Sequence, residues 1–289
     1  MQDGILNIPV IDAHLHLWDV KRMHYPWLDT VPTIRRSFFI EDYQQATKRF
    51  QVEKMVFVQA DCQPGEYMEE VNFVEEQARK DRRIQGMVAY APVERGKKMS
   101  EVLEALKRHP IVKGVRRMYD DEPALCCSPL FIEGLHLLPS YGFSFDISIK
   151  PHVMEETIRM IGNCPDTRFI LDHLGKPDIR NRAFDGYKRN IERLAVFPNV
   201  TAKISGLVTE ADLHNWTPAD LKPYIHHAIS CFGAERLMFG GDWPVVLLAG
   251  SYGSWVNALA EALLDYPDEV AAMIFCKNAV QIYHLDGNR

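Results

Sequence analysis

The chain has 289 residues, 47% of them hydrophobic, with 33 basic and 39 acidic side chains and a formal net charge of -6. That content buries a substantial core, and a length in this range suits either one large α/β barrel or two smaller domains. Charges of both signs are mixed along the sequence, which leaves no basic stripe of the kind nucleic acid requires, and no run approaches the roughly 18 to 20 apolar residues of a membrane span.

The amino-terminal MQDGILNIPV has neither a basic leader nor a long apolar core, so a cytoplasmic location is expected. Cys62, Cys126, Cys127, Cys164, Cys231 and Cys276 form no CxxC pair and are scattered through a large chain, so reduced thiols are expected.

In chain order, eight apolar runs have the composition of strands: IPVIDAHLH, KMVFVQAD, RIQGMVAYAP, IVKGVRRMY, FSFDISIKP, TRFILDHLGKP, NVTAKISGL and RLMFGGDWP. Between most of them lie helix-like segments such as EYMEEVNFVEEQARKD, SEVLEALKRH, VMEETIRMIGN, DGYKRNIERLAVF and TPADLKPYIHHAISCF. Repeated strand and helix in this order predicts an α/β protein, a closed parallel (β/α)8 barrel of the TIM type. No low-complexity linker divides it, so residues 1–289 are expected to form a single domain, with a capping helix over 268–282. The stretch 19–36 after the first strand is longer than ordinary connections and is expected to cover the barrel mouth.

In IDAHLHLW, residues 11–18, strict strand alternation puts Asp12, His14 and His16 on one face and Ile11, Ala13, Leu15 and Leu17 on the other. The same split recurs in FSFDISIK, with Ser144, Asp146, Ser148 and Lys150 opposite Phe145, Ile147 and Ile149, and in NVTAKISGL, where Thr201, Lys203 and Ser205 share a face. If the apolar faces meet the helices, the polar ones point into the barrel and gather at the carboxyl ends of the strands, where such barrels keep their active sites. A buried unpaired charge costs roughly several kcal/mol or titrates away, so partners are required, such as Asp146 with Lys150 or Lys203. His14, His16, Arg117, His173 and Asp242 lie at the ends of several strands, and their convergence suggests a site. Of the adjacent Arg116 and Arg117 only one can enter the barrel; Arg117 is the candidate, and a surface pairing is expected of the other. Gln59, Tyr25 and Trp27 are candidates for lining a sugar-sized pocket. His226 and His227 belong to a helix face, and no base stands beside Cys126 and Cys127. The Gly and Lys of LDHLGKP lack the further glycines and the hydroxyl residue of a phosphate loop.

Together DAHLH on the first strand, LDHLGKP on the sixth, KISGL on the seventh and FGGDWP on the eighth resemble the amidohydrolase superfamily. YPWL, GVRR, FDISIKP, LDHLGKP and MFGGDWPV resemble, more narrowly, its branch of sugar-acid lactonases. The resemblance implies a barrel in which His14, His16 and Asp242 can hold one divalent metal, usually Zn, with His173 at the position of the histidine after the sixth strand. The decarboxylase relatives carry a metal-binding histidine in a VHP context at the fifth strand, where this chain reads IKP, with Lys150 in that place and His152 two residues on. A protonated lysine cannot ligate, so a metal-independent reaction is an equal expectation.

The expected activity is hydrolysis of the ester bond of a small sugar-derived lactone, such as a fucono- or rhamnonolactone. Asp242 is the candidate base activating water, with His173, His14 and His16 polarising the carbonyl; Arg117 and Lys150 would keep Asp242 ionised and hold ring hydroxyls or a carboxylate. The alternatives are a Zn-dependent decarboxylase of the same superfamily, a lactonase for a dicarboxylated pyrone or muconolactone, and a barrel that binds a sugar acid without turnover. The expected partner is a small-molecule lactone, without nucleic acid or membrane, and a homo-oligomer is left open.

Overall fold

Each of the eight strand-like runs becomes one strand of a parallel sheet in the computed structural model, which describes residues 8–285. Residues 1–7, on which most of the amino-terminal expectation rests, lie outside the described residues. The strands are β1 Val10–Leu15, β2 Val52–Val58, β3 Ile84–Tyr90, β4 Val112–Arg116, β5 Ser144–Ile147, β6 Phe169–Leu171, β7 Val200–Ile204 and β8 Leu237–Phe239, each paired with its neighbour in sequence. Closure comes from the residues just past β8: Asp242 N donates to His14 O (2.8 Å) and His16 N to Trp243 O (2.8 Å). The result is a (β/α)8 barrel.

The helices α1 Ile40–Thr47, α2 Tyr67–Lys80, α3 Ser100–Lys107, α4 Pro129–Tyr141, α5 Met154–Gly162, α6 Phe184–Ala195, α7 Pro218–Phe232 and α8 Tyr252–Leu263 follow the strands in turn. Parity explains how they pack. Met55 and Phe57, Phe145 and Ile147, and Ala202 and Ile204 join the large outer core with the helices, while Val56, Val58, Val88, Ile170 and Met238 meet inside the barrel. The stretch expected to cap the barrel is helical throughout, as α9 Asp268–Ala272, a π-helical turn Met273–Lys277 and α10 Asn278–Ile282. It delivers Tyr283 and Leu285 to the inner cluster, closing the amino-terminal end of the barrel. Among the described residues no helix is long and apolar enough to cross a membrane.

The first strand departs from simple alternation. Ile11 and Ala13 lie in the inner cluster, and Asp12 faces the helix layer, where its carboxylate accepts from Tyr43 (2.8 Å) on α1. Asp12 pairs with Met55 and Leu15 with Phe57, so β1 spends one residue more than β2 over this step. This is a β-bulge, and it re-aims the residues after it: Asp12 and His14 end on opposite sides rather than on one face.

Helix α2 buries one carboxyl group against the loop after β2. Glu70 Oε1 accepts from Ala60 N (2.9 Å), and Oε2 has no hydrogen-bond partner. Burial pushes this carboxyl up to about 8, against the Ala60 N–H and the Arg116 guanidinium, with Asp61 adding to the rise. Tyr25 and Cys62 feel the same charge. The folded state therefore binds this proton more tightly than the unfolded chain; its contribution is full below the ordinary value of 4.5 and is lost as pH rises through about 8. Glu70→Gln keeps the acceptor and removes the titration. Denaturant unfolding from about pH 5 to about pH 9 is expected to show the native protein losing on the order of a few kcal/mol that the glutamine variant retains. An identical pH slope in both proteins would assign the loss to another group.

Candidate active site

The carboxyl ends of β1, β6 and β8 bring His14, His16, His173 and Asp242 together. Past the bulge, His14 is fully buried inside the barrel, with its Nε2 3.1 Å from Nε2 of His16. His16 Nδ1 lies 2.7 Å from Val58 O, and a carbonyl only accepts, so Nδ1 donates and Nε2 is turned toward His14 and Asp242. Asp242 sits at φ 51° in GGDWP, its Oδ1 3.5 Å from His16 Nε2 and 3.8 Å from His14 Nε2. The preceding residue pair has to be glycine. A Cβ at Gly240 would lie 2.6 Å from the Cβ of His14, and one at Gly241 would lie 2.4 Å from Asp12 Oδ2.

His173 lies past the end of β6, whose Phe169 and Leu171 face the helices. Simple alternation would carry His173 to the same side. Instead the backbone turns left-handed at His173 (φ 54°) and Leu174 (φ 50°), and the ring lies 4.5 Å from that of His14, with Nδ1 2.9 Å from Ser205 Oγ. Burial, resisted by Asp242 and Asp172, pushes the His173 imidazole down to about 4, so it is neutral at pH 7. Burial raises the Asp242 carboxyl, but His173, His16 and His14 outweigh it and hold the group at about 2, so it is ionised.

Beneath these groups is a fully buried ion cluster. Lys203 Nζ lies 2.6 Å from Asp146 Oδ2, 3.0 Å from Asp172 Oδ1 and 3.4 Å from His14 Nδ1, while Tyr283 OH donates to Asp146 (2.7 Å). Arg116 closes the cluster, with Nη1 3.0 Å from Asp172 Oδ2 and Nη2 on the carbonyl of Gln59. The expected pairing of Asp146 therefore goes to Lys203.

Of the two arginines it is Arg116 that enters the barrel. Val115 packs outward, so the next residue points in, and Arg117 pairs with Glu94 at 3.2 Å outside the site cavity. The cavity above the histidines measures about 620 Å³, and Trp27, Asp61, Arg116, Lys150, His173 and Asp242 are among its walls. Trp27, from the long first loop, donates its indole N–H to Ala60 O (2.8 Å). Tyr25 is buried within that loop against Trp18 rather than lining the cavity. Gln59 is buried behind it, accepting from Asp61 N at 2.5 Å, so it shapes the wall without facing the cavity. His226 and His227 bond to Ala262 O and Lys188 O among the helices. Asp172, Arg116 and Asp61 were missed as site residues; the inward parity of Ile170 and Gly114 was the available signal for the first two.

His14 Nε2, His16 Nε2 and Asp242 Oδ1 fit a divalent metal: two imidazoles and a carboxylate, with the His16 ring oriented by its Nδ1 contact to Val58 O, and ligand atoms within 4.8 Å of one another. A second grouping, His14, Asp172 and His173, shares Asp172 with Lys203 and Arg116. Neither contains Lys150 or His152; His152 instead approaches Asp120 O (3.2 Å).

The amidohydrolase family profile matches residues 11–285. The chain belongs to that family. It is 29% identical to an L-fucono-1,5-lactonase of Burkholderia ambifaria over 96% of both chains. It is 23% identical to an L-rhamnono-gamma-lactonase of Scheffersomyces stipitis, over 96% of this chain and 98% of that one. An amidohydrolase of Burkholderia multivorans, solved with bound Zn, has the same fold at a TM-score of 0.86 and 24% identity, covering 95% of this chain and 99% of that one. The resemblance carried by DAHLH, LDHLGKP and FGGDWP is borne out.

The two arginines separate experimentally. Arg116→Met leaves Asp172 short of a buried partner and is expected to lower unfolding free energy by about 3 to 5 kcal/mol, whereas Arg117→Met, which breaks a partly exposed pair, is expected to change it by about 1 kcal/mol or less. Equal losses in denaturant titrations would reverse this assignment.

Proposed function

We propose that this amidohydrolase is a lactonase that opens a neutral, polyhydroxylated sugar lactone to the sugar acid. The observation that carries the reading is the Asp242 carboxylate set against the His14, His16 and His173 rings at the floor of a cavity large enough for a sugar ring. Its Oδ1 faces the histidine pair, leaving Oδ2 to take a proton from water. The water oxygen bonds to the lactone carbonyl carbon, the ring C–O bond breaks, and Asp242 returns the proton to the departing alkoxide. His173, anchored by Ser205, stands beside the carboxylate and orients the carbonyl oxygen. A divalent metal held by His14, His16 and Asp242 would polarise that carbonyl and acidify water.

Charge around the cavity supports a neutral substrate over a dicarboxylated one. Asp61, Asp120, Asp121, Glu210 and Asp242 face Arg116, Lys150 and Lys176, and Arg116 is already committed to Asp172. A pyrone or muconolactone dicarboxylate would meet more carboxylates than free cations. The relatives named as sugar lactonases support the same class.

A pH-indicator assay tests this with a panel of aldonolactones and dicarboxylated lactones, with chelator and with added Zn. Aldonolactones are expected to release acid and dicarboxylated lactones not. Asp242→Asn is expected to lower kcat by about 100- to 10,000-fold. A preference for the dicarboxylated lactones, or full activity in Asp242→Asn, would overturn the reading; loss of activity with chelator, restored by Zn, would place the metal in the reaction.

A further inference from the structure

A second cavity of about 450 Å³ adjoins the site cavity and shares Lys150, Lys176 and Glu210 with it as lining. Its own walls come from the start of α5, the turn after β6 and the first turns of α6, and they include Met154, Leu174, Pro177 and Tyr187. The site cavity alone lies in the roughly 300 to 1,000 Å³ range of pockets that hold drug-sized ligands, which is more than a single sugar ring fills. We propose that the second cavity is a subsite for a further neutral sugar unit attached to the lactone, so that the preferred substrate is an aldonolactone derived from a disaccharide or longer chain. This rests on the lactonase reading and extends it.

Three observations select a sugar unit. First, among the described residues the Lys150 and Lys176 ammonium groups close no salt bridge, and the Glu210 carboxylate has no hydrogen-bond partner, so the shared wall offers unspent donors and an acceptor where a glycosidic linkage and its flanking hydroxyls would pass. Second, charge is balanced: Lys150 and Lys176 are matched by Glu210 and Asp178, which disfavours an anionic substituent, and a charged wall disfavours a plain hydrocarbon tail. Third, beyond that wall Met154, Leu174, Pro177 and Tyr187 supply apolar lining beside the polar His152 and Asn190, and the Tyr187 hydroxyl is tied to Tyr224 O (2.8 Å), so Tyr187 presents its ring rather than a polar tip. An apolar wall behind a polar rim suits the amphipathic faces of a sugar ring.

Gly186 gives a clean way to test it. It lies on α6 and lines the second cavity but not the first, and a Cβ there would meet nothing within 4 Å. Gly186→Leu therefore places its Cβ without a clash and adds side-chain bulk at the wall of the second cavity, and leucine is the better helix residue. Initial rates would be measured for both proteins with gluconolactone and with cellobionolactone, maltobionolactone and melibionolactone, its glycosylated forms. The native enzyme is expected to show a kcat/KM at least tenfold higher for one of the glycosylated lactones, expressed mainly in KM. Gly186→Leu is expected to erase that gain while leaving gluconolactone within about twofold. Hydrolysis of gluconolactone with no gain for any glycosylated form, or a gain that survives Gly186→Leu, overturns the subsite and leaves the lactonase standing. If none of these lactones, nor any other aldonolactone, is hydrolysed, the lactonase reading and the subsite fall together.

Discussion

Everything at the carboxyl end of this barrel depends on one lysine with no access to water. Lys203 lies between Asp146 and Asp172, and Arg116 supplies the second cation, so two carboxylates and two cations cancel inside the sheet. Burial raises the Asp172 carboxyl, yet Lys203, His14 and Arg116 together bring it well below its ordinary range, which marks it as a permanent anion. Removing one member of such a set typically costs about 3 to 5 kcal/mol, because the partner is left charged and dry. The cluster also fixes positions. Asp172 Oδ1 lies 3.3 Å from His14 Nδ1, which orients the ring so that Nε2 meets His16, and Arg116 draws in the loop after β2 through the Gln59 carbonyl.

Against that fixed floor, the same chemical group takes on different tasks according to its surroundings. Burial acts upward on Asp12, Glu70 and Asp242 alike. Asp242 has histidines around it and is held at about 2, so it is ionised at neutral pH, the state that the proposed acceptance of a proton from water needs. Asp12 is fastened by the N–H groups of Gly241 and His14 and by Tyr43 and Tyr252, which offset only part of its burial and leave it at about 6. Its work is mechanical: it ties β1 to the GGDWP turn, with Gly241 N 2.7 Å and His14 N 3.0 Å from Oδ1. Glu70, with a single backbone donor, goes up to about 8 and serves the loop that ends in Asp61.

The barrel was legible because strand composition recurs eight times and several of the runs carry one-sided polarity, and the placement of Asp146 and Lys203 follows from period-two alternation alone. Alternation failed where the backbone breaks its own period. The β1 bulge sends Asp12 outward although it stands two residues from His14, and no local composition marks that extra residue. His173 reaches the site only through a left-handed turn that a strand pattern does not encode. For Arg116 and Arg117 the pattern was present and decisive: Val115 packs outward, so parity alone admits the first arginine and leaves the second to Glu94. Tyr25 and Gln59 were drawn toward the cavity by their residue type, whereas burial by neighbouring loops, a tertiary matter, decided their places.

The turn after β6 shows how these demands meet in one short stretch. Asp172 belongs to the ion cluster, His173 to the candidate site and Lys176 to the wall between the two cavities. Serving all three from adjacent positions requires the chain to reverse within a few residues, and His173, Leu174, Gly175 and Lys176 all have positive φ. For non-glycine residues that geometry costs on the order of 1 to 2 kcal/mol each, so it survives only where surrounding contacts over-determine it. Here they do. Asp172 is locked by Lys203 and Arg116 at one end, the His173 ring is held against Ser205, and Gly175 stands where a Cβ would press on Met154 Cε at 3.2 Å. The strain is thus held by the buried charges, and in return it presents an imidazole whose position is set before any substrate arrives.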